Sequence, residues 1–236
     1  MTDPIAPIPD GYQVDRLVGG HRRKQLFRAR HDGQPVALRL LRFEEDEGPM
    51  MEPSFLMTRL GSVIDELELT TIAPLRAAEA TGDGYFAAEP WIGDRDLTKA
   101  QLSWAETCAL LGPLAEDLAK LHAHRKWHGG IRPHRIRVDG QAATLVAFAW
   151  AATASSFTRD LFARVEVPEK RGGGFIAPEL LEKGPAGAGT ALDVYGLGRT
   201  LEAVCADCPP ALARAFEGDL TQRATMADLA ALLSGA

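Results

Sequence analysis

The sequence has few cysteines, no long apolar run and no secretion signal, and each absence excludes a class of protein. Three cysteines are too few for a disulfide framework. Cys205 and Cys208 form a lone C-x-x-C, which we interpret as a helix end rather than a metal or redox site. No apolar run approaches the length of a membrane span, and the first residues do not have the pattern of a signal peptide. We therefore expect a cytoplasmic protein without a membrane span.

Composition and charge narrow the class further. The 236 residues are 46% hydrophobic and 25% charged, which is ordinary for a globular protein with a sizeable core. The net charge of −6 disfavours nucleic acid as a partner. The chain contains no internal repeat, and its richness in alanine, glycine and arginine is typical of a bacterial protein.

Apolar and polar residues alternate in the first ninety residues, which predicts strands, and the later residues follow a helical period. Gly19-Gly20 is expected to interrupt the first strand pair, and Asp32-Gly33 to form the next hairpin turn. The first part is predicted to hold three strands over Tyr12–Arg42, a helix over Phe55–Leu67, and strands over Ile72–Ala77 and Tyr85–Ala88.

The later part reads as helices joined by turns. Ser103 and Glu106 have the spacing of a capping box before a leucine-rich helix, and Asp139-Gly140 predicts a hairpin turn. Further helices are predicted over Leu192–Val204, Pro210–Phe216 and Met226–Leu233.

A central stretch carries the most specific motif. The residues Trp127-His128-Gly129-Gly130-Ile131-Arg132-Pro133-His134-Arg135-Ile136 resemble the catalytic loop H-R-D-x-K-x-x-N of eukaryotic-type serine/threonine protein kinases. In that family the Asp accepts the substrate proton and the Asn holds magnesium. Gly130 and Arg135 stand at these two positions, and neither side chain can perform these roles.

The resemblance extends over nearly the whole chain. Val36-Ala37-Leu38-Arg39 is similar to the V-A-I-K strand with arginine in place of lysine, and Ala147-Phe148-Ala149 stands where D-F-G is expected. Ala177-Pro178-Glu179 matches A-P-E. The predicted helix of the first part offers no glutamate placed to pair with Arg39. Backbone groups of Glu89 and Trp91 correspond to the hinge that holds adenine in the family.

The resemblance implies an α+β, bilobal kinase-like fold in a single domain, 1–236. The N-lobe, 10–90, would hold five antiparallel strands and one helix, and the C-lobe, 91–236, would be mostly helical. The C-lobe would be shortened, because the family's docking helix has no counterpart between Val204 and Pro210. The resemblance also implies structural roles for His128, Phe148, Glu179, Asp193 and Arg223.

The positions at which the chain departs from the family motifs are those that carry out catalysis in the family. The degenerate positions are Arg39, Gly130, Arg135 and Ala147. Phosphoryl transfer depends on positioning and on metal ions that neutralise phosphate charge. We therefore expect no kinase activity, no metal and no required cofactor, and any ATP binding would be independent of magnesium.

Basic residues replace the lost groups. The candidate anion-binding residues are His21, Arg22, Arg23, Lys24, Arg39, Arg132 and Arg135. No Asp or Glu lies between Leu121 and Val138. Two interpretations stay open: a site for a phosphorylated or acidic segment, or arginines and lysines that are simply solvated.

Three functional hypotheses follow. The first is an inactive kinase-like scaffold or regulatory protein that binds a protein partner, such as an acidic or phosphorylated segment or an active kinase. The second is a nucleotide-binding switch that needs no metal. The third is an enzyme with rearranged catalytic residues, which would require Asp139 or Asp160 to reach the site.

Overall fold

The protein is described from a computed structural model, which covers residues 4–21, 24–42, 63–81, 84–146, 174–183, 187 and 189–235. The chain divides into two compact units. The first comprises Met1–Glu68 and Ala73–Ile92, and the second comprises Leu69–Ile72 and Gly93–Ala236. The four-residue segment Leu69–Ile72 therefore belongs to the second unit, although the residues on both sides of it belong to the first.

The first unit is built on one antiparallel sheet, as the alternating pattern predicts. Its strands lie in the order β1-β2-β3-β5-β4. The bounds are β1 Tyr12–His21, β2 Lys24–His31, β3 Gln34–Arg42, β4 Ala77–Thr81 and β5 Gly84–Pro90. Asp32 and Gly33 join β2 to β3 with φ of 50° and 76°, and positive φ at both residues matches the twist of a tight hairpin.

One face of this sheet carries the core of the first unit. Leu38, Leu40, Phe27 and Phe86 are buried together there. The N-terminal segment packs on the same cluster through Ile5 and Ile8. Residues of β3 alternate between the two faces, so Ala37 and Arg39 lie on the face opposite to Leu38.

Two boundaries differ from the sequence prediction. Gly19 and Gly20 lie inside β1, which continues to pair with β2 as far as His21 opposite Lys24. The fourth strand spans Ala77–Thr81 rather than Ile72–Ala77, because Ile72 instead bridges to Leu145 in the second unit. Residues 63–66 are helical, and the rest of the helix predicted over Phe55–Leu67 lies mostly outside the described residues.

The second unit is organised around α1, Trp104–Ala123. The predicted capping box is confirmed, since the Ser103 side chain accepts from the Glu106 N–H and the Glu106 carboxylate accepts from the Ser103 N–H. Leu111, Leu114 and other leucines of its apolar face are fully buried. The last helix, α4, spans Met226–Ser234 and packs along α1.

The remaining elements of the second unit are short, apart from α3. They are the hairpin β6 Ile136–Asp139 and β7 Ala142–Leu145, α2 Pro178–Lys183, α3 Ala191–Val204, and 3₁₀ helices at Pro133–Arg135 and Pro210–Phe216. A connection of five residues, 205–209, separates α3 from the second 3₁₀ helix. In the part of the chain covered above, none of the helices combines the length and apolar character that crossing a membrane requires.

Candidate functional site

Asp193 anchors the loop that contains His128 and Gly130. Its carboxylate is fully buried in the first turn of α3 and accepts the backbone N–H groups of His128 and Gly129, both at 2.7 Å. The Nε2 of His122 lies 3.0 Å from the same carboxylate. Gly129 has φ of 74°, a conformation that favours glycine. Two backbone donors therefore fix the loop to one buried carboxylate, which His122 of α1 also contacts.

The ring of His128 is a structural group. It is fully buried, and its Nε2 lies 3.1 Å from the carbonyl oxygen of Val146. A carbonyl only accepts, so Nε2 must carry the proton. Burial lowers the pKa of His128 to about 4, with Asp193 opposing and Arg135 reinforcing the shift. The ring is therefore neutral at physiological pH.

Arg135 fills the space beside Gly130. Its Nη1 donates to the carbonyl oxygen of Gly130 at 3.0 Å. A Cβ at position 130 would overlap this guanidinium, whose Cζ would lie only 3.2 Å away. Gly130 and Arg135 are thus a matched pair, in which the arginine occupies the volume that a side chain at 130 would need.

Desolvation also lowers the pKa of two further residues of this loop, Arg132 and His134. Arg132 is partly buried, and burial lowers the pKa of its guanidinium. Arginine pKa values are so high that this group still remains charged at neutral pH. Desolvation, followed by the charges of Arg135 and Arg132, lowers the pKa of His134 to about 4. The loop therefore carries its positive charge on arginines alone.

Arg39 has a partner within its own sheet. Its Nη2 lies 3.4 Å from Oε2 of Glu89, and the exposure of these side chains is 9% and 0%. In the register of β3 and β5, Ala37 stands opposite Glu89 and Arg39 opposite Ala87, so both charged residues lie on the same face. Glu89 of β5 is therefore a buried carboxylate partner of Arg39.

Backbone groups at the proposed hinge already form hydrogen bonds with other backbone groups of the chain. The Trp91 N–H donates to the carbonyl oxygen of Pro35 at 3.1 Å, and Glu89 belongs to the ladder between β3 and β5. The Ala88 carbonyl accepts from the Arg76 N–H at 2.7 Å. The N–H of Trp91 is therefore not available to a ligand in this conformation.

A buried ion pair joins α2 to the segment before α4. Arg223 donates to the two carboxylate oxygens of Glu179 at 2.6 and 3.1 Å, and it also donates to the backbone carbonyls of Glu217 and Ala191. The side chains are 1% and 6% exposed. The pair therefore ties together two segments of the second unit that are distant in sequence.

The candidate residues fall in separate parts of the structure. Arg39, Glu89 and Trp91 lie in the first unit, and Arg132, Arg135, His128, Glu179, Asp193 and Arg223 lie in the second. His21 and Lys24 are paired in the β1–β2 ladder through their backbones. Arg22, Arg23, Ala147, Phe148 and Asp160 lie outside the described residues.

The cysteines and histidines form no metal site in the described ranges, where no group of three or more potential ligands converges. Cys205 is buried, and its Sγ lies 3.6 Å from a carboxylate oxygen of Asp207. Burial, followed by a hydrogen bond with Cys205, raises the pKa of Cys208 to about 12. Because the thiolate is the reactive form, Cys208 is chemically quiet at neutral pH.

Two buried carboxylates have roles that the sequence prediction missed. Glu89 interrupts the apolar run Phe86-Ala87-Ala88, and Asp117 interrupts the leucine face of α1. The Asp117 carboxylate accepts the backbone N–H groups of Thr70 and Thr71 at 2.8 and 2.9 Å. The signal in the sequence was an acidic residue at a position where the pattern predicts an apolar one. A carboxylate buried at such a position requires hydrogen bonds or a cation, which indicates a structural role.

Comparison with known proteins adds no identification. No protein-family model matches the chain, and no curated protein has a similar sequence. The coarse architecture of this chain is thus established by its own structure: a mixed α/β protein with a five-stranded antiparallel sheet followed by a mainly helical unit.

Proposed function

We propose that this chain is a catalytically inactive, kinase-like protein that acts by binding a protein partner. The observation that carries the proposal is the contact between Arg135 and Gly130. In the kinase interpretation, a proton acceptor belongs at position 130 and a metal ligand at position 135. A guanidinium that fills this space supplies neither function and repels a divalent cation.

Two buried contacts of the second unit support the kinase-like part of the proposal. Asp193 binds the loop backbone at His128 and Gly129, and Arg223 binds Glu179. Both arrangements connect distant parts of the second unit through buried charges. Their retention beside the lost chemistry favours a scaffold that keeps its shape without its reaction.

The contacts of the first unit disfavour the nucleotide switch. Glu89 already neutralises Arg39, and Pro35 already accepts the N–H of Trp91. A nucleotide bound through Arg39 and the N–H of Trp91 would have to break both contacts and would leave Glu89 without its counter-charge. Breaking a buried ion pair costs about 3–5 kcal/mol, which weakens any such ligand.

A phosphotransfer assay tests the proposal. The purified full chain is incubated with radiolabelled ATP and a general protein substrate, with magnesium or with EDTA. We expect no transfer under either condition. Transfer that requires magnesium and is lost in Arg39→Met would overturn the proposal. The exposed Arg95→Met serves as the matched control, because the same change there leaves the candidate positions intact.

A binding assay separates the scaffold from the switch. Thermal shifts are measured with ATP at millimolar concentration, with and without EDTA. The scaffold hypothesis predicts no shift for the native chain. A metal-independent shift that disappears in Arg39→Met and persists in Arg95→Met would favour the switch instead.

A further inference from the structure

Arg132 of the second unit carries a charge that is partly buried and not paired. It directly precedes the 3₁₀ helix Pro133–Arg135, and the residue is only partly accessible to solvent. Within the described ranges its guanidinium makes no hydrogen bond and no ion pair. Its pKa is lowered by burial, and no described carboxylate opposes that shift. Partial burial of a charge without a counter-charge is unfavourable, so the position of Arg132 requires an explanation.

Two carboxylates of the second unit lie close enough to affect this loop, and both are engaged with other groups. Asp193 accepts two backbone N–H groups of the loop and contacts a histidine of α1. Asp96 lies 3.5 Å from Nη1 of Arg137. The loop itself supplies no acid, since no Asp or Glu lies between Leu121 and Val138.

The environment of Arg132 separates the two interpretations that the sequence left open for these basic residues. A simply solvated arginine should be exposed, as Arg125 is. Arg132 is instead partly desolvated, and its charge is felt by its neighbours. Desolvation lowers the pKa of His128 first, and the charges of Arg135 and Arg132 add to this effect. The loop therefore has a positive field that a bound anion would neutralise.

We propose that Arg132 binds an oxyanion of a protein partner, the carboxylate of an acidic segment or the phosphate of a phosphorylated one. This inference rests on the proposed function and assigns the residue that recognises the partner. The planar guanidinium matches the geometry of both groups. Partial burial strengthens the contact, because solvent and salt screen it less than they screen an exposed pair. A long nucleic acid is disfavoured by the net charge of −6.

Two fluorescein-labelled peptides test the inference on the full chain by fluorescence anisotropy. One is hexaglutamate, and the other alternates glycine with phosphoserine. We expect Arg132→Gln to weaken the tighter of the two complexes by roughly tenfold, because a charge-assisted contact is lost. Arg125→Gln removes the same charge at an exposed position and should change the affinity by less than about twofold. The peptide that binds more tightly identifies the source of the oxyanion.

A stability measurement separates a ligand-binding role of Arg132 from a structural one. Arg132→Met removes the unpaired charge and keeps an unbranched side chain, so the midpoint of denaturant unfolding without peptide should stay the same or rise. A structural role predicts a lower midpoint. The tighter peptide should raise the Tm of the native chain and leave that of Arg132→Met unchanged.

Four results would overturn the inference. They are no binding of either peptide to the native chain, an equal loss of affinity in Arg125→Gln, a lower unfolding midpoint in Arg132→Met, and a Tm increase with peptide that persists in Arg132→Met. Tighter binding of ATP than of either peptide, lost in Arg132→Gln, would assign the residue to a nucleotide instead. Phosphotransfer is measured in a separate assay, so failure of this inference can be distinguished from failure of the proposed function.

Discussion

At the scale of single residues, Gly130 and Arg135 depend on each other. The arginine donates to the carbonyl of residue 130 and occupies the space beside its Cα. A substitution at one position therefore changes the environment of the other. An aspartate introduced at 130 alone would have its carboxylate against this guanidinium, and the two groups would form an ion pair.

The coupling predicts a specific stability pattern. Gly130→Ala should displace the Arg135 guanidinium, break its hydrogen bond and cost about 1 kcal/mol of unfolding free energy. In an Arg135→Ala background the same change should cost little, because the space is then empty. Denaturant unfolding of the four proteins measures the coupling. Gly218→Ala is the control, since a Cβ there meets open space. An equal cost in both backgrounds would contradict the contact.

The lowered pKa of His128 predicts how the stability of the folded chain depends on pH. Its pKa is about 4 in the folded chain, below the usual 6.5. The folded state therefore prefers the neutral ring, and its stabilising effect is complete above pH 6.5 and decreases as the pH falls towards 4. The expected loss between pH 7 and pH 5 is about 2 kcal/mol.

Unfolding experiments at these two pH values test the assignment. The difference should shrink in His128→Asn and remain in His124→Asn, which changes an exposed histidine. An unchanged pH dependence in His128→Asn would assign the effect to other groups, such as His134.

At the scale of elements, caps and buried charges fix where helices begin and how they join. Ser103 and Glu106 cap α1, and Thr225 and Asp228 form the same reciprocal arrangement at α4. These caps satisfy N–H groups locally. The Glu179–Arg223 pair has a different role, because it joins α2 to a residue that is 44 positions away in sequence.

Loss of this pair should be costly. Glu179→Gln leaves the Arg223 guanidinium buried without its counter-charge, and we expect a loss of about 3–5 kcal/mol in unfolding free energy. Glu182→Gln on the same helix changes an exposed carboxylate and should stay within about 0.5 kcal/mol of the native chain. Similar effects of the two changes in denaturant unfolding would show that the ion pair adds no net stability.

At the scale of the whole molecule, the division into two units does not follow the order of the chain. Segment Leu69–Ile72 belongs to the second unit, where Asp117 accepts the N–H groups of Thr70 and Thr71. Leu145 also donates to the Thr71 carbonyl at 2.8 Å. Although burial raises the pKa of Asp117, hydrogen bonds from Thr71 and Lys120 lower it overall, so the carboxylate remains ionised near neutral pH.

Hydrogen exchange tests this anchoring. Asp117→Ala should speed exchange at the amides of Thr70 and Thr71 by roughly tenfold or more, since each loses a charge-assisted hydrogen bond. Exchange in β2 and β3 should be unchanged. Glu116→Ala, the adjacent exposed residue of α1, is the control. Faster exchange throughout the first unit would contradict the assignment. So would an unchanged exchange rate at Thr70 and Thr71.

The sequence predictions were accurate where an element depends on residues close together in sequence, and less accurate where it depends on distant ones. The helix over Leu192–Val204 and the turn at Asp32-Gly33 depend on neighbours in sequence and were predicted well. The fourth strand was placed too early, because Ile72 is buried by a bridge to Leu145 rather than by a ladder in the first sheet. Its apolar character predicted burial but not the partner. The kinase-like assignment remains a proposal.

The sequence by itself determined the five-strand pattern, the helix caps and the absence of a reactive side chain at position 130, because these depend on residue type and on local spacing. The tertiary structure decided which groups meet: Arg39 with Glu89, and Arg135 with the Gly130 carbonyl. Such contacts depend on strand register and side-chain direction. Residues distant in sequence fix both, so no local pattern encodes them.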